Sequence, residues 1–176
     1  MKILDKIITH STPFIQLNKT IYEDTNGVKK DWDWVSRING TRAVIIIAGV
    51  DNDHIVLTKE YRIPLEDYEW GFPAGLIDEG ESPEDTAKRE LKEETGLDIT
   101  EIEMVSPFVY SSAGLTDEAI AFVICQAEGE LSNKGTEGSE DITAYKANEE
   151  FIKELMKDPN NKFGAKAWLT LMAIAS

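Results

Sequence analysis

The sequence predicts an α+β domain. Runs of alternating or β-branched apolar residues dominate the first half of the 176-residue chain, a stretch with both helix-capping signals follows at residues 82–96, and two apolar-periodic segments, EEFIKELMKD and AKAWLTLMAIA, close it. Strands in sequence before and after one strong helix, with more helix at the end, suit a sheet covered by helices.

The elements follow in order. The first forty residues read as strands: FIQLNKTIYED, a turn at Thr25-Asn26-Gly27, and VKKDWDWVSRI form a hairpin with Val28, Trp32, Trp34 and Ile38 near a period of two. Asn39-Gly40 is a second turn, and TRAVIIIAGV is a continuous β-branched run expected to be buried on both faces. Asp51-Asn52-Asp53 turns it into HIVLTKEYR, which predicts a central hairpin. LEDYEWGFPAG reads as a short strand ending at its glycine and proline. A helix is predicted over about 83–95: Ser82 is a good N-cap, Pro83 suits the first helical position, Glu84 and Asp85 favour the positive end of the dipole, and Gly96 ends it. EIEMVSPFVYS and EAIAFVICQAEG read as strands, and KGTEGSED as a polar loop.

Composition excludes several classes of function. A formal charge of −15 opposes binding to a nucleic-acid backbone or an anionic membrane, yet leaves room for a small phosphate substrate held by metal ions and a few placed arginines. No run approaches the length of a membrane span, and the apolar segment in MKILDKIITHSTPF is too short and interrupted for a signal peptide, so a cytoplasmic protein is expected. Cys125 is the one cysteine and sits in the apolar run AIAFVICQA, where a buried small hydrophobe is the expectation; a disulfide framework or a cysteine zinc site is excluded. His10 and His54 are far apart in unlike contexts, and no G-x-S-x-G elbow is present.

One segment concentrates charge. Gly75–Leu97, GLIDEGESPEDTAKRELKEETGL, holds eight carboxylates and three bases. On a helix at roughly 100° per residue, with Ala87 at zero, Leu91 falls near 40°, Glu94 near 340°, Glu90 near 300° and Glu93 near 240°. Ala87 and Leu91 then form a buried stripe, with Glu90, Glu93 and Glu94 crowded beside it. Carboxylates sharing such a strip raise one another's pKa unless a cation neutralises them, and hard oxygen ligands suit magnesium or manganese. Arg89 lies one turn before Glu93, and Glu81, just ahead of the helix, is placed to meet it; both read as positioning residues.

The spacing of Gly75, Glu81, Arg89-Glu90-Leu91, Glu93-Glu94 and Gly96-Leu97 resembles the signature of the Nudix hydrolases. The flanking EYRIP and EWGFPAG, with the helical C-terminus, look like the branch acting on ADP-ribose and related nucleoside diphosphate sugars. The resemblance implies an α/β/α sandwich with a mixed sheet, in which residues 41–176 form the catalytic domain and residues 1–40 an antiparallel strand region. It implies a loop-helix-loop binding two or three divalent ions (magnesium or manganese). Glu90 and Glu94 match the metal ligands, Glu93 a further ligand or base, and Ala74 the residue that offers its backbone carbonyl. In TEGSEDITAY, Glu140 resembles a glutamate that serves as ligand or general base, with Glu137 in reserve. Arg62 resembles an arginine on the diphosphate, Glu69 stands with it as a substrate contact, and Trp32 and Trp34 resemble aromatic residues that stack the base on a hairpin exchanged in a homodimer.

The implied activity is hydrolysis of the diphosphate bond of ADP-ribose or a related sugar nucleotide to a nucleoside monophosphate and a sugar phosphate. Nucleoside triphosphates or dinucleoside polyphosphates are the alternative substrates, and a non-catalytic nucleotide-binding module is the alternative class. SSAGLTDE departs from the ADP-ribose pattern, with Ala113 where that subgroup carries proline, which leaves the preferred base and sugar open.

Overall fold

The computed structural model describes residues 1–132 and 140–175. The N-terminal region is a three-stranded antiparallel sheet: β1 (Lys2–Ser11), β2 (Ile15–Glu23) and β3 (Lys29–Arg37), in that order. The predicted hairpin is β2–β3, turning through Gly27 at φ 77°, a conformation that needs no Cβ. β1 adds a third strand that no turn signal announced.

The remaining strands build a nine-stranded mixed sheet from β4 (Arg42–Val50), β5 (His54–Arg62), β6 (Asp67–Gly71), β7 (Ala74–Leu76), β8 (Asp98–Val105), β9 (Val109–Tyr110), β10 (Ala119–Glu128), β11 (Ile142–Ala147) and β12 (Lys162–Phe163). Its central path runs β12-β6-β5-β4-β10-β8, with β11 on β5, β7 on β4 and β9 on β10. The central hairpin is much shorter than the sequence predicts. β4 and β5 pair only at Gly49↔Ile55 and Val50↔His54, beside the left-handed turn residues Asp51 and Asn52. Beyond that point the strands part: Ala43–Ile45 pairs with β7, and β10 runs parallel to β4 from Arg42 to Gly49. The opening between β4 and β5 is where the cleft forms. The run expected as EIEMVSPFVYS is likewise two strands, because Pro107, which has no N–H for the ladder, falls between β8 and β9.

Helices α1 (Pro83–Thr95), α2 (Glu149–Lys157) and α3 (Ala165–Ile174) sandwich this sheet. The period of two in β4 divides the core. Val44 and Ile46 face α1 and pack with Ala87, Leu91, Leu97 and Val123. Ile45 and Ile47 point the other way, against the cluster of Leu57, Trp70, Ile152 and Leu171 under α2 and α3. Burial on both faces is thus as the β-branched run predicts, complete on the α1 side and partial on the other. Cys125 belongs to the α1 cluster, and burial pushes its thiol up to about 11. Among the described residues no helix is long and apolar enough to cross a membrane.

Candidate active site

The helix that carries the acidic residues is set by local chemistry. Ser82 Oγ accepts the Asp85 N–H at 3.1 Å, Pro83 opens the helix, and Gly96 closes it at φ 79°. Its apolar stripe docks Ala87 and Leu91 into the core, and that rotation drives Glu94 down with them to 6% exposure. Burial raises the Glu94 carboxyl to about 9, with repulsion from Glu90 and Glu60 adding to it; a 3.3 Å hydrogen bond from the Ala74 N–H opposes the shift. Glu90 is also shifted up, first by desolvation, while Arg89 pulls it back and Glu93 and Glu140 push it further.

Arg89 organises the rim of the site. Its Nε and Nη2 donate to the two oxygens of Glu81 at 3.1 and 3.0 Å, and Nη2 also reaches the Leu76 carbonyl at 3.2 Å. Nη1 donates to Glu90 at 2.8 Å and Glu93 at 3.3 Å. The fork and the hydroxyl of buried Thr86, 2.7 Å away, hold the Glu81 carboxyl down to about 2. Glu81 is therefore a fixed anion that aims Arg89, as its position ahead of the helix suggests. Gly75 lies against the same group: a Cβ there would sit 1.9 Å from the Glu90 carboxyl carbon, so only glycine admits this placement of the carboxylate.

Gly75, Arg89, Glu90, Glu93 and Glu94 line a cleft of about 670 Å³ whose walls also include Arg62, Glu69 and Glu140. Arg62 sits between two acids, donating to Glu60 and, at 3.1 Å, to Glu69. Glu60 and Glu69 are direct cross-strand partners on β5 and β6, a like-charge pair that Arg62 bridges. Glu140 enters just before β11, whose Ile142 pairs with Glu60, and its charge bears on Glu60, Glu90 and Glu94. Glu137 lies outside the described residues.

Trp32 and Trp34 are elsewhere. They line a second cavity of about 670 Å³ with Tyr22 and Tyr110, and their indole N–H groups donate to the Gly114 carbonyl at 3.0 Å and to Thr20 Oγ1 at 2.8 Å. The segment between β9 and β10 walls both spaces: Ala113, Thr116 and Asp117 face the aromatic cavity, and Glu118 faces the cleft.

Sequence reasoning missed Glu60. It is half-buried, desolvation raises its pKa, its charge bears on Glu94, and Glu140 acts on it as on Glu90 and Glu94. The signal was available, since Glu60 and Arg62 are two apart on a strand and share a face. Arg37, paired with Glu118 at 2.8 Å, and Lys166 also line the cleft and had no local signature.

The donor set suits a hard divalent cation: carboxylates crowd one wall, two of them shifted toward the neutral form by burial first and by one another's charge second. Among the described residues no three acids are gathered closely enough to hold an ion as they stand. Arg89 engages Glu90 and Glu93 in this arrangement, so ion binding calls for side-chain rotation there.

A buried-carboxylate helix at the mouth of a split mixed sheet defines a Nudix site, and residues 40–169 match the NUDIX domain model. The chain belongs to the Nudix family. It is 34% identical over 165 residues to an ADP-ribose pyrophosphatase of Saccharomyces cerevisiae, a match spanning 86% of this chain and 69% of that protein. It is 40% identical over 95 residues to the ADP compounds hydrolase NudE of Escherichia coli, and there the match spans 51% of this chain and 50% of the relative. A crystal structure of an ADP compounds hydrolase superposes with a TM-score of 0.79 at 26% identity, covering 97% of this chain and 90% of that one.

Proposed function

We propose that the protein is a divalent-metal-dependent pyrophosphatase that hydrolyses the diphosphate bond of ADP-ribose or a related nucleoside diphosphate sugar, releasing a nucleoside monophosphate and a sugar phosphate. The observation that carries this reading is the cleft lined together by buried Glu94, half-buried Glu90 and the guanidinium of Arg62. The relatives named above support the substrate class.

Glu90 and Glu94, with Glu93, Glu140 and the Ala74 carbonyl, are the residues that would hold two or three magnesium or manganese ions. Such ions supply a nucleophilic water at neutral pH and Lewis-acid polarisation of the phosphoryl oxygens. The chain's own residues do the rest. Glu81 and Thr86 lock Arg89 so that the rim carboxylates keep their bearing. Glu93, with a side chain 48% exposed at the cleft, is placed to accept a proton from water, and Glu140 is the second candidate. Arg62 turns donors toward the diphosphate, with Glu69 fixing its Nε.

Trp32 and Trp34 supply faces for the base. The region 1–40 is also the dimer surface in this reading: every residue of β1 is exposed, and Ile3, Ile7 and Ile8 are among them. A homodimer in the cytoplasm, with no nucleic-acid or membrane partner, completes the proposal.

The test is product formation from ADP-ribose, UDP-glucose, GDP-mannose and ATP, each with magnesium and with EDTA. Magnesium-dependent AMP from ADP-ribose ahead of the others is the expected result. Preference for another sugar nucleotide moves the specificity, pyrophosphate from ATP as the main product replaces the substrate class, and no turnover on any of the four removes the enzymatic reading. Sedimentation velocity reads the dimer.

A further inference from the structure

We propose that Lys166 is a substrate contact: it binds the phosphate of the diphosphate that the carboxylate wall, through its cations, does not. The inference deepens the reading of the cleft as a diphosphate site and rests on that reading.

Four cationic side chains line the cleft: Arg37, Arg62, Arg89 and Lys166. Three are already matched by carboxylates. Arg37 pairs with Glu118, Arg62 with Glu60 and Glu69, and Arg89 with Glu81, Glu90 and Glu93. Lys166 is different. Among the described residues its ammonium has no carboxylate partner and donates only to the neutral Ser111 Oγ, at 3.0 Å. An ammonium has three donors, so two remain for a ligand.

The absence of a partner is informative because acids are in excess here. Glu69, Glu90, Glu93, Glu94, Glu118 and Glu140 all line the same space. A half-buried lysine in so acidic a cleft would gain from an ion pair, yet among the described residues its ammonium is held on the α3 wall by Ser111 and pairs with none of the acids. A substrate diphosphate brings two phosphates into this field. Cations held by the carboxylates would neutralise the one nearest α1, and the other needs a positive charge that is not already spent. Lys166 is that charge, and its place in the first turn of α3 adds the favourable sign of the helix dipole.

The chemistry also separates Lys166 from Arg62, which must share its charge with two glutamates. Lys166 is therefore expected to contribute uniform binding of substrate and transition state, a change in KM more than in kcat. Ser111 orients it from the segment that also bears Ala113, which ties the grip on the phosphate to the loop flanking the aromatic cavity.

The experiment is calorimetric titration of the non-hydrolysable α,β-methylene analogue of ADP-ribose into the magnesium-loaded protein, with ADP-ribose turnover measured alongside. The variants are Lys166→Met, Lys166→Gln, Lys166→Arg and Ser111→Ala, each checked by thermal melting. Lys166→Met and Lys166→Gln should weaken the analogue about tenfold or more and flatten the salt dependence of binding, as loss of a charge-assisted contact requires. Lys166→Arg should recover to within about threefold and Ser111→Ala should lose about twofold. In turnover the neutral variants should raise KM with kcat within about threefold.

Unchanged affinity in both neutral variants overturns the proposal and leaves the hydrolytic reading standing. A loss in Ser111→Ala equal to that in Lys166→Met also overturns it, since Lys166 would then be a strut between α3 and the loop. If the wild type binds the analogue through Lys166 but does not cleave ADP-ribose, the contact stands and the hydrolytic reading falls. If the wild type does not bind the analogue, both fall.

Discussion

The acidic cleft and the N-terminal sheet solve opposite problems in one chain. In the cleft, charged groups are buried and the apolar core behind them is complete: Leu91, Leu97, Val44 and Ile46 have no exposed surface, and the helix that presents Glu90 and Glu94 cannot rotate without breaking that packing. In the N-terminal sheet, apolar groups are exposed. Among the described residues its hydrogen bonds to the rest run to one short segment, by Trp32 to Gly114, Val35 to Leu115 and Arg37 to Glu118. A rigid site tolerates electrostatic strain because its scaffold is over-determined, whereas a sheet without a two-sided core waits for a second surface to cover it. The first arrangement suits chemistry and the second recognition.

That contrast is broken most severely by removing the buried charges. Glu90→Gln and Glu94→Gln should each lower kcat/KM for ADP-ribose about a thousandfold or more. The metal-free melting temperature of Glu94→Gln should hold near neutral pH and rise toward pH 9, because the amide cannot ionise in a site whose burial disfavours the carboxylate. Turnover within tenfold of wild type would move the chemistry out of this cleft.

Gly75→Ala should follow at about a hundredfold, since the new methyl would occupy the position of the Glu90 carboxylate. Calorimetric magnesium affinity should fall with it; a variant that binds magnesium normally would show that Glu90 is free to sit elsewhere.

Changes in the N-terminal sheet should act on binding. Trp32→Ala should raise KM about tenfold with kcat within about threefold, the scale of one lost stacking contact. Ile3→Lys with Ile8→Lys should shift the sedimentation coefficient from dimer to monomer. A kcat defect in Trp32→Ala equal to that of Glu90→Gln would erase the distinction between the two regions.

The last effect is on stability against pH and not on turnover. Glu94 and Glu90 have raised pKa values in the folded state, so the native protein holds protons that the unfolded chain releases. Their stabilising contribution is full below the ordinary glutamate range and is lost as pH climbs above it, for Glu94 on toward about 9, by at most about 1.4 kcal/mol per pH unit for each group. Melting temperatures of the EDTA-treated protein should therefore decline across that window, and magnesium should restore more at its upper end than at its lower. A flat profile without metal would mean that the carboxylates are already neutralised by Arg89 and Arg62.

Local signals carried a definite share of this. The bounds of α1 follow from Ser82, Pro83 and Gly96, and the strip of Glu90, Glu93 and Glu94 follows from helical geometry, because caps and a 3.6-residue period need only neighbours in sequence. Arg89 meeting Glu81 was legible for the same reason, as were the β2–β3 hairpin and the burial of Cys125. The spacing of the glycine and the glutamates named the family, which the match over residues 40–169 shows.

What only the tertiary structure decided is which distant charges share the cleft. β7 takes the edge of β4 that β5 leaves after Gly49 and Val50, which opens the space; pairing of β11 with β5 delivers Glu140 beside Glu60, and the return of α3 sets Lys166 on the wall of the cleft. Strand partners are chosen by long-range burial of two-sided apolar runs, which many pairings of Val, Ile and Ala would satisfy locally. The sequence alone determined what each element is and which way its side chains alternate. The fold determined which of those side chains meet, because that choice is made by the packing of the whole core.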